Sequence, residues 1–303
     1  MSTAMIDILM IAYNRPDYTR LSLKNLLDSC DDTMRVWIWQ NGRDGATMEV
    51  VKELANHPRV YELYVSDENK KLNEPTNWFW EHATAEYLSK VDDDCLVPMG
   101  WAQTLKKAHI DNPRFGVLGC WRFLEEDFIP EMAFKKIKKF DGGHRLLVNC
   151  WVEGSGYLMK RACVESVGLL NLKKDKKYSW IKNAVIGIKN LYMQNTFNDY
   201  CIEIARRGWV NGWYYPFLYQ EHMDDPRVPH TGLLTDEDFA KYMPLSAVNR
   251  KSLTLKTWTN ALKDSARYLQ YADTNPACYS KVHRGVRKIL RKFEIIKDDN
   301  SGM

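Results

Sequence analysis

The chain of 303 residues exceeds one average domain and falls short of two, which predicts one large domain with an appendage. Hydrophobic residues at 45%, charged residues at 27% and a mean hydropathy of −0.47 exclude disordered, collagen-like and coiled-coil classes. The 43 basic and 39 acidic side chains leave a net charge of +4, too even a balance for the total to announce a polyanionic partner.

Residues 6–13 form a short apolar run ending in Asn14-Arg15-Pro16, and apolar residues then recur at helical spacing over 18–27. This predicts strand, loop and helix. The unit repeats: residues 35–39 are apolar and lead to Asn41-Gly42, and a helix is expected over 48–55. Residues 60–65 alternate like a strand, Asn73 is placed to cap a helix from Glu74-Pro75 to Ser89, and Val91 leads straight into three aspartates. Strands alternating with helices predict an α/β fold with a mostly parallel sheet, its ligand crevice at the carboxyl ends of the strands. Beyond Pro98 the pattern predicts a helix over 101–110, a strand over 116–121, and a strand and helix within 158–167. Two lysine clusters, at 135–139 and 173–177, read as solvated loops or hairpin flanks, and 171–197 as a mobile insertion.

Seven cysteines, at 30, 95, 120, 150, 163, 201 and 278, show no C-x-x-C spacing and point to reduced thiols in a cytosolic chain. The first residues lack a basic region and Asp7 breaks the apolar run that follows, so a signal peptide is not expected. The best candidate for a membrane span, residues 180–193, is interrupted by Lys182 and Lys189. Composition shifts near Pro244: residues 245–303 carry twelve Lys and Arg against five Asp and Glu, leaving 31 basic and 34 acidic residues in 1–244. The boundary is therefore drawn there, with a basic helical extension over 245–303. Within it, Val282, Val286, Ile289, Leu290, Phe293 and Ile296 share a helical face. Residues 281–297 then read either as a helix on an anionic membrane surface or as one packed on the rest of the chain, with contact to nucleic acid as a third reading. The expected location is cytoplasmic, or peripheral on the inner face of the cell membrane.

The strongest chemical signal is Asp92-Asp93-Asp94 at the end of a strand. Carboxylates packed so closely repel one another unless a cation neutralises them, and Mg2+ or Mn2+ takes such oxygen ligands together with a diphosphate. An acidic turn capping the next helix is the bland alternative, weakened by the position after a fourth βα-type strand.

With those aspartates in place, five segments resemble the family 2 glycosyltransferases of the GT-A fold. They are residues 8–15 (Ile-Leu-Met-Ile-Ala-Tyr-Asn-Arg), Trp39-Gln40-Asn41-Gly42, the Asp92 triplet with Pro98-Met99-Gly100-Trp101, residues 153–161, and Val167-Gly168. The resemblance covers about residues 5–225. It implies a nucleotide-diphospho-sugar transferase fold and places Ala12, Tyr13, Arg15 and Asn41 around the donor nucleotide, with Asp92 and Asp93 facing the donor. Asp94 would ligate a Mn2+ or Mg2+ ion with Asp92, and His222 would be the late histidine ligand. The family's acidic pair at a helix start is matched by Asn198-Asp199, ahead of Arg206-Arg207-Gly208, so Asp199 alone remains as catalytic base. Read without the family, the same residues are a helix N-cap, worth about 1 kcal/mol. Glu153 and Gly154 fall beside the sugar, and Trp151, two residues before them, is put forward as an acceptor contact, although any single tryptophan is more often core.

The resemblance implies inverting transfer from a UDP-, GDP- or dTDP-sugar to a hydroxyl of a glycan or lipid-linked acceptor. In such a reaction a metal would stabilise the leaving diphosphate while a carboxylate takes the acceptor proton. A sugar-nucleotide pyrophosphorylase would want a G-x-G-T-R loop where this chain has Ala12-Tyr13-Asn14-Arg15-Pro16. Transfer to nucleic acid or protein, and a non-catalytic relative hinted at by Asn198, are the other readings.

Overall fold

The continuous apolar run of the first strand predicts a sheet buried on both faces, and the computed structural model, which describes residues 5–172, 196–228, 254–279 and 289, shows that sheet. The parallel units come first: β1 (Ile6–Ala12), α1 (Pro16–Ser29), β2 (Met34–Asn41), α2 (Gly45–Leu54), β3 (Val60–Ser66), α3 (Asn73–His82) and β4 (Tyr87–Asp92). A short strand β5 (Cys95–Leu96), α4 (Trp101–Asp111) and β6 (Phe115–Gly119) follow. Next come α5 (Pro130–Ala133), β7 (Ile137–Lys139), β8 (Arg145–Val148), β9 (Tyr157–Lys160) and α6 (Arg161–Val167). The described chain ends with α7 (Phe197–Arg206), β10 (Val210–Tyr215), β11 (Glu221–His222) and α8 (Leu255–Tyr271).

The central sheet runs β3-β2-β1-β4-β9-β6-β10-β8-β7. Only β9 and β8 oppose the common direction, so the sheet is mostly parallel. Strand alternation divides the core into two layers. Ile6, Ile8 and Met10 face α1 and α4, whereas Leu9 and Ile11 face α3, α7 and α8. Each fully buried Leu of α1, such as Leu23 or Leu26, contributes roughly 1.5–3 kcal/mol. Asp7 interrupts the second layer without penalty to hydrogen bonding, because Arg35 grips both its oxygens at 2.7 and 2.8 Å and the Thr84 and Ala85 N–H groups donate to it.

Two local expectations are corrected. The helix expected to reach Ser89 stops at His82, and residues 87–92 pair instead with β1 and β9. The residues there tolerate either state, and burial between two strands decides it. Asn73 does not cap that helix: the N-cap position is Leu72, and the Asn73 side chain donates to the Asn171 carbonyl. In the cluster at 135–139, Lys136 is buried rather than solvated, with Nζ donating to the Asn149 side chain at 3.2 Å and to the Leu269 carbonyl at 2.6 Å. The cluster at 173–177, the body of the segment 171–197, and all of 281–297 except Ile289 lie outside the described residues.

From the basic extension, α8 is described, and it buries Leu262, Ala266, Leu269 and Gln270 against the sheet's second layer. No helix among the described residues is long and apolar enough to cross a membrane. The six described cysteines form no disulfide.

Candidate active site

The site gathers where β1, β2 and β4 end, at the point where strand order reverses between β1 and β4. After Ala12 the chain turns through Asn14 in the left-handed region (φ 55°), a conformation in which Asn is enriched, and Pro16 starts α1. That turn aims Arg15 inward. Its guanidinium donates to Asp94 at 3.0 Å and pairs with Asp224, so it lies among carboxylates. Burial opposes its charge, but Asp224, Asp94 and Asp93 outweigh burial and raise its pKa. Asn41, at the end of β2, is fully committed to the following loop: it donates to Asn69 and to the Lys71 carbonyl and accepts from the Lys70 N–H.

The three aspartates have three different surroundings. Asp92 ends β4, is ion-paired with the buried Lys90, and lines the cavity described below. Asp93 points back into the protein, accepting from the Tyr13 N–H at 3.1 Å and from the Thr19 hydroxyl at 3.3 Å. Burial, then the neighbouring Asp94 charge, raises its pKa. For Asp94 burial pushes upward, yet His222 and Arg15 hold it well below the ordinary carboxylate range.

His222 reaches Asp94 through a two-stranded ladder in which β11 pairs antiparallel with β5 and His222 stands opposite Cys95. The Met223 N–H donates to the Asp94 carbonyl at 2.8 Å and closes the corner. Donor atoms of Asp94, Cys95 and His222 all lie within 4.8 Å of one another. Burial lowers the His222 pKa, which favours the neutral imidazole that a metal requires. Burial raises the Cys95 thiol well above its usual value, so it stays protonated and is the weakest donor of the three.

A cavity of about 560 Å³ opens beside this cluster. Asp92 and His222 line it, together with Gln220, Arg122, Trp151, Glu153, Gly154 and Asn198. Arg122 and Glu153 are ion-paired at 2.6 Å, and burial raises Glu153 against the pull of Arg122. Gly156 makes the close approach possible: at its φ of 61° a Cβ would stand 1.6 Å from the Gln220 Oε1. At the head of α7 the N-cap is Thr196, whose hydroxyl accepts from the Asp199 N–H at 3.2 Å. Asn198 lines the cavity, and the half-buried Asp199 is the next residue on that first turn. The structure thus brings Asp92, Asp94, His222, Trp151, Glu153 and Gly154 to one place, with Asn198-Asp199 at its edge.

Sequence reasoning missed four participants. Asp224 is 1% exposed, paired with Arg15, and keeps Oδ2 without a hydrogen-bond partner. Its only signal was a position two residues after His222. Arg122 and Gln220 carried none. The fourth is α8, which contributes Asp264, Ser265, Tyr268 and Leu269 to the cavity wall from a segment expected to act elsewhere.

Comparison with known proteins agrees with this fold. Among solved structures the chain is similar to the mannosyltransferase PcManGT from Pyrobaculum calidifontis, solved in complex with GDP-Man and Mn2+, at 16% identity and a TM-score of 0.54, covering 96% of this chain and 81% of that one. It is also similar to residues 1–349 of S. aureus TarS, at 14% identity and a TM-score of 0.49, covering 95% of this chain and 78% of that one. No curated protein matches the chain significantly. Residues 7–161, from the first strand through β9, match glycosyl transferase family 2. With its GT-A sheet and a site at the switch point of that sheet, the chain belongs to glycosyl transferase family 2 and is a glycosyltransferase.

Proposed function

We propose that this glycosyltransferase moves a sugar from a nucleotide-diphosphate sugar to a hydroxyl of a glycan or lipid-linked acceptor, with inversion and with a divalent ion. The observation that carries the reading is the meeting of Asp92 and His222 on one cavity with Glu153, Trp151 and Asn198 at the head of α7, with Asp94 directly behind His222, its donor atom within 4.8 Å. The donor set fits Mn2+ or Mg2+: one ionised carboxylate and a neutral imidazole in reach of each other, with the buried, unpartnered Asp224 Oδ2 on the same cluster. Asp94 and His222 would hold the ion with Asp92. When bound, it would neutralise charge developing on the departing diphosphate.

The chain's own residues supply the rest. Lys90 anchors the Asp92 carboxylate at the cavity rim. Arg15 keeps Asp94 ionised and braced against Asp224. Asp199, on the first turn of α7, takes the proton from the attacking acceptor hydroxyl, which needs no covalent enzyme intermediate and inverts the anomeric centre. Glu153 is a second candidate for that proton, because it lines the cavity and its buried Oε2 has no hydrogen-bond partner. In this reading residues 1–244 carry the donor and metal side of the catalytic unit, α8 completes its cavity, and the basic stretch 281–297 seats it on an anionic membrane surface.

A thermal-shift screen of UDP, GDP and dTDP with Mn2+, followed by metal-dependent hydrolysis of UDP-, GDP- and dTDP-sugars, tests the proposal. GDP-mannose belongs in that panel because the similar mannosyltransferase was solved with it. Absence of stabilisation by all three nucleotides would remove the donor assignment.

A further inference from the structure

We propose that α8 is the acceptor-recognition wall, with Asp264 and Tyr268, facing the cavity beside Trp151, holding an uncharged sugar ring. This deepens the glycosyl-transfer reading and rests on it.

The helix is locked in place by buried polar contacts rather than draped on the surface. Gln270 is fully buried, donates to the Asp127 carbonyl at 2.7 Å and accepts from the Ile129 N–H at 2.5 Å. Lys136 places its ammonium on the Leu269 carbonyl in the last turn of α8, where the helix dipole favours a cation. At the other end the Trp258 indole donates to the Asp224 carbonyl at 2.8 Å, which ties the helix to the acidic cluster itself.

Asp264 and Tyr268 are four residues apart and so share one face of this fixed helix. Both line the cavity while remaining exposed, and Tyr268 is 41% exposed. Core packing therefore does not explain Tyr268, and among the described residues Asp264 makes no ion pair that would explain it. Tyr279, just beyond α8, donates its hydroxyl to the Asp273 carbonyl at 2.9 Å and interacts electrostatically with the Tyr268 and Trp151 side chains, between the two aromatic walls.

The chemistry of these groups selects the ligand. Aromatic faces accept the apolar face of a sugar ring, and a carboxylate accepts hydrogen bonds from its hydroxyls. Asp92, Glu153 and Asp264 on one cavity oppose a phosphorylated or carboxylated ligand on this side, where the basic groups among the described lining residues are Arg122, already paired with Glu153, and His222, beside Asp94.

Saturation-transfer NMR with methyl α-D-mannopyranoside and methyl β-D-glucopyranoside, run with and without Mg2+ and UDP or GDP, tests the assignment. The expected result is binding of at least one glycoside by the wild type, weakened about tenfold by Asp264→Asn, the ~1.4 kcal/mol of a hydrogen bond to a charged group. Tyr268→Ala should abolish the signal, Tyr268→Phe should restore it, and Lys256→Ala, exposed on the same helix and outside the cavity, should leave it unchanged. Equal binding by Asp264→Asn, Tyr268→Ala and wild type overturns the wall, as does binding of neither glycoside or a preference for glucose 6-phosphate over the methyl glycosides. Glycoside binding that depends on Asp264 and Tyr268 in a protein that binds no nucleotide would keep the wall and remove the glycosyl-transfer reading instead.

Discussion

Replacing Arg15 with methionine tests how the acidic cluster is held. The guanidinium is 16% exposed and bridges Asp94, 14% exposed, and Asp224, 1% exposed. Removing one partner of a buried ion pair costs about 3–5 kcal/mol, because the carboxylates left behind are neither solvated nor neutralised. Asp93 and Asp224 already have raised pKa values and can relieve the strain by taking protons, which argues for the lower figure, ~3 kcal/mol. With an unfolding entropy of about 2.1 cal/mol/K per residue, this corresponds to a fall in Tm of about 5 °C for a chain of 303 residues. The same change removes a positive charge beside Asp94, so Mn2+ should bind the variant at least about tenfold more tightly, or ~1.4 kcal/mol. Urea denaturation with and without Mn2+ reads both effects. A loss under ~1 kcal/mol without metal, or an equal Mn2+ increment in variant and wild type, would refute the bridging role.

Asp199→Asn should lower kcat by about 100-fold or more with little change in nucleotide binding, as expected for loss of a general base; full activity in Asp199→Asn with loss in Glu153→Gln would move the base to Glu153. Burial lowers the Lys136 pKa from 10.5 to about 8. Between those values the unfolded chain keeps a proton that the folded protein has released, so folding stability rises with pH through this window, by up to ~3 kcal/mol, and is flat below it. Measured as the stability difference between wild type and Lys136→Met from pH 7 to 10.5, a flat difference would sink this account. Gly156→Ala should destabilise by about 1–2 kcal/mol through its left-handed backbone and should also displace Gln220, lowering activity more than stability alone explains; an unchanged kcat/KM in that variant would show that Gln220 has no part in the site.

Much of this architecture was readable before any coordinates. The apolar run of β1, the repeated strand and helix units, and the aspartates at the end of β4 are local patterns, because a strand buried on both faces is apolar throughout and ligand sites follow strand ends. His222 was legible only by resemblance to a family, since nothing within its own segment joins it to Asp94. Residues 83–89 failed because their composition suits a helix as well as a strand, and only β1 and β9 on either side decide between them.

What the tertiary structure alone decided is partnership. Arg15 and Asp224 are 209 positions apart, and a sequence cannot show that a guanidinium and a carboxylate that distant share one buried site. Lys136 sits in a lysine-rich run that reads as solvated, yet one of its lysines is turned inward onto the end of α8. The extension after residue 244 announced itself only as charge, whereas packing against the sheet makes α8 a wall of the cavity. The one-dimensional pattern determined which residues could serve; burial and long-range juxtaposition, which set solvation and charge, determined which residues meet.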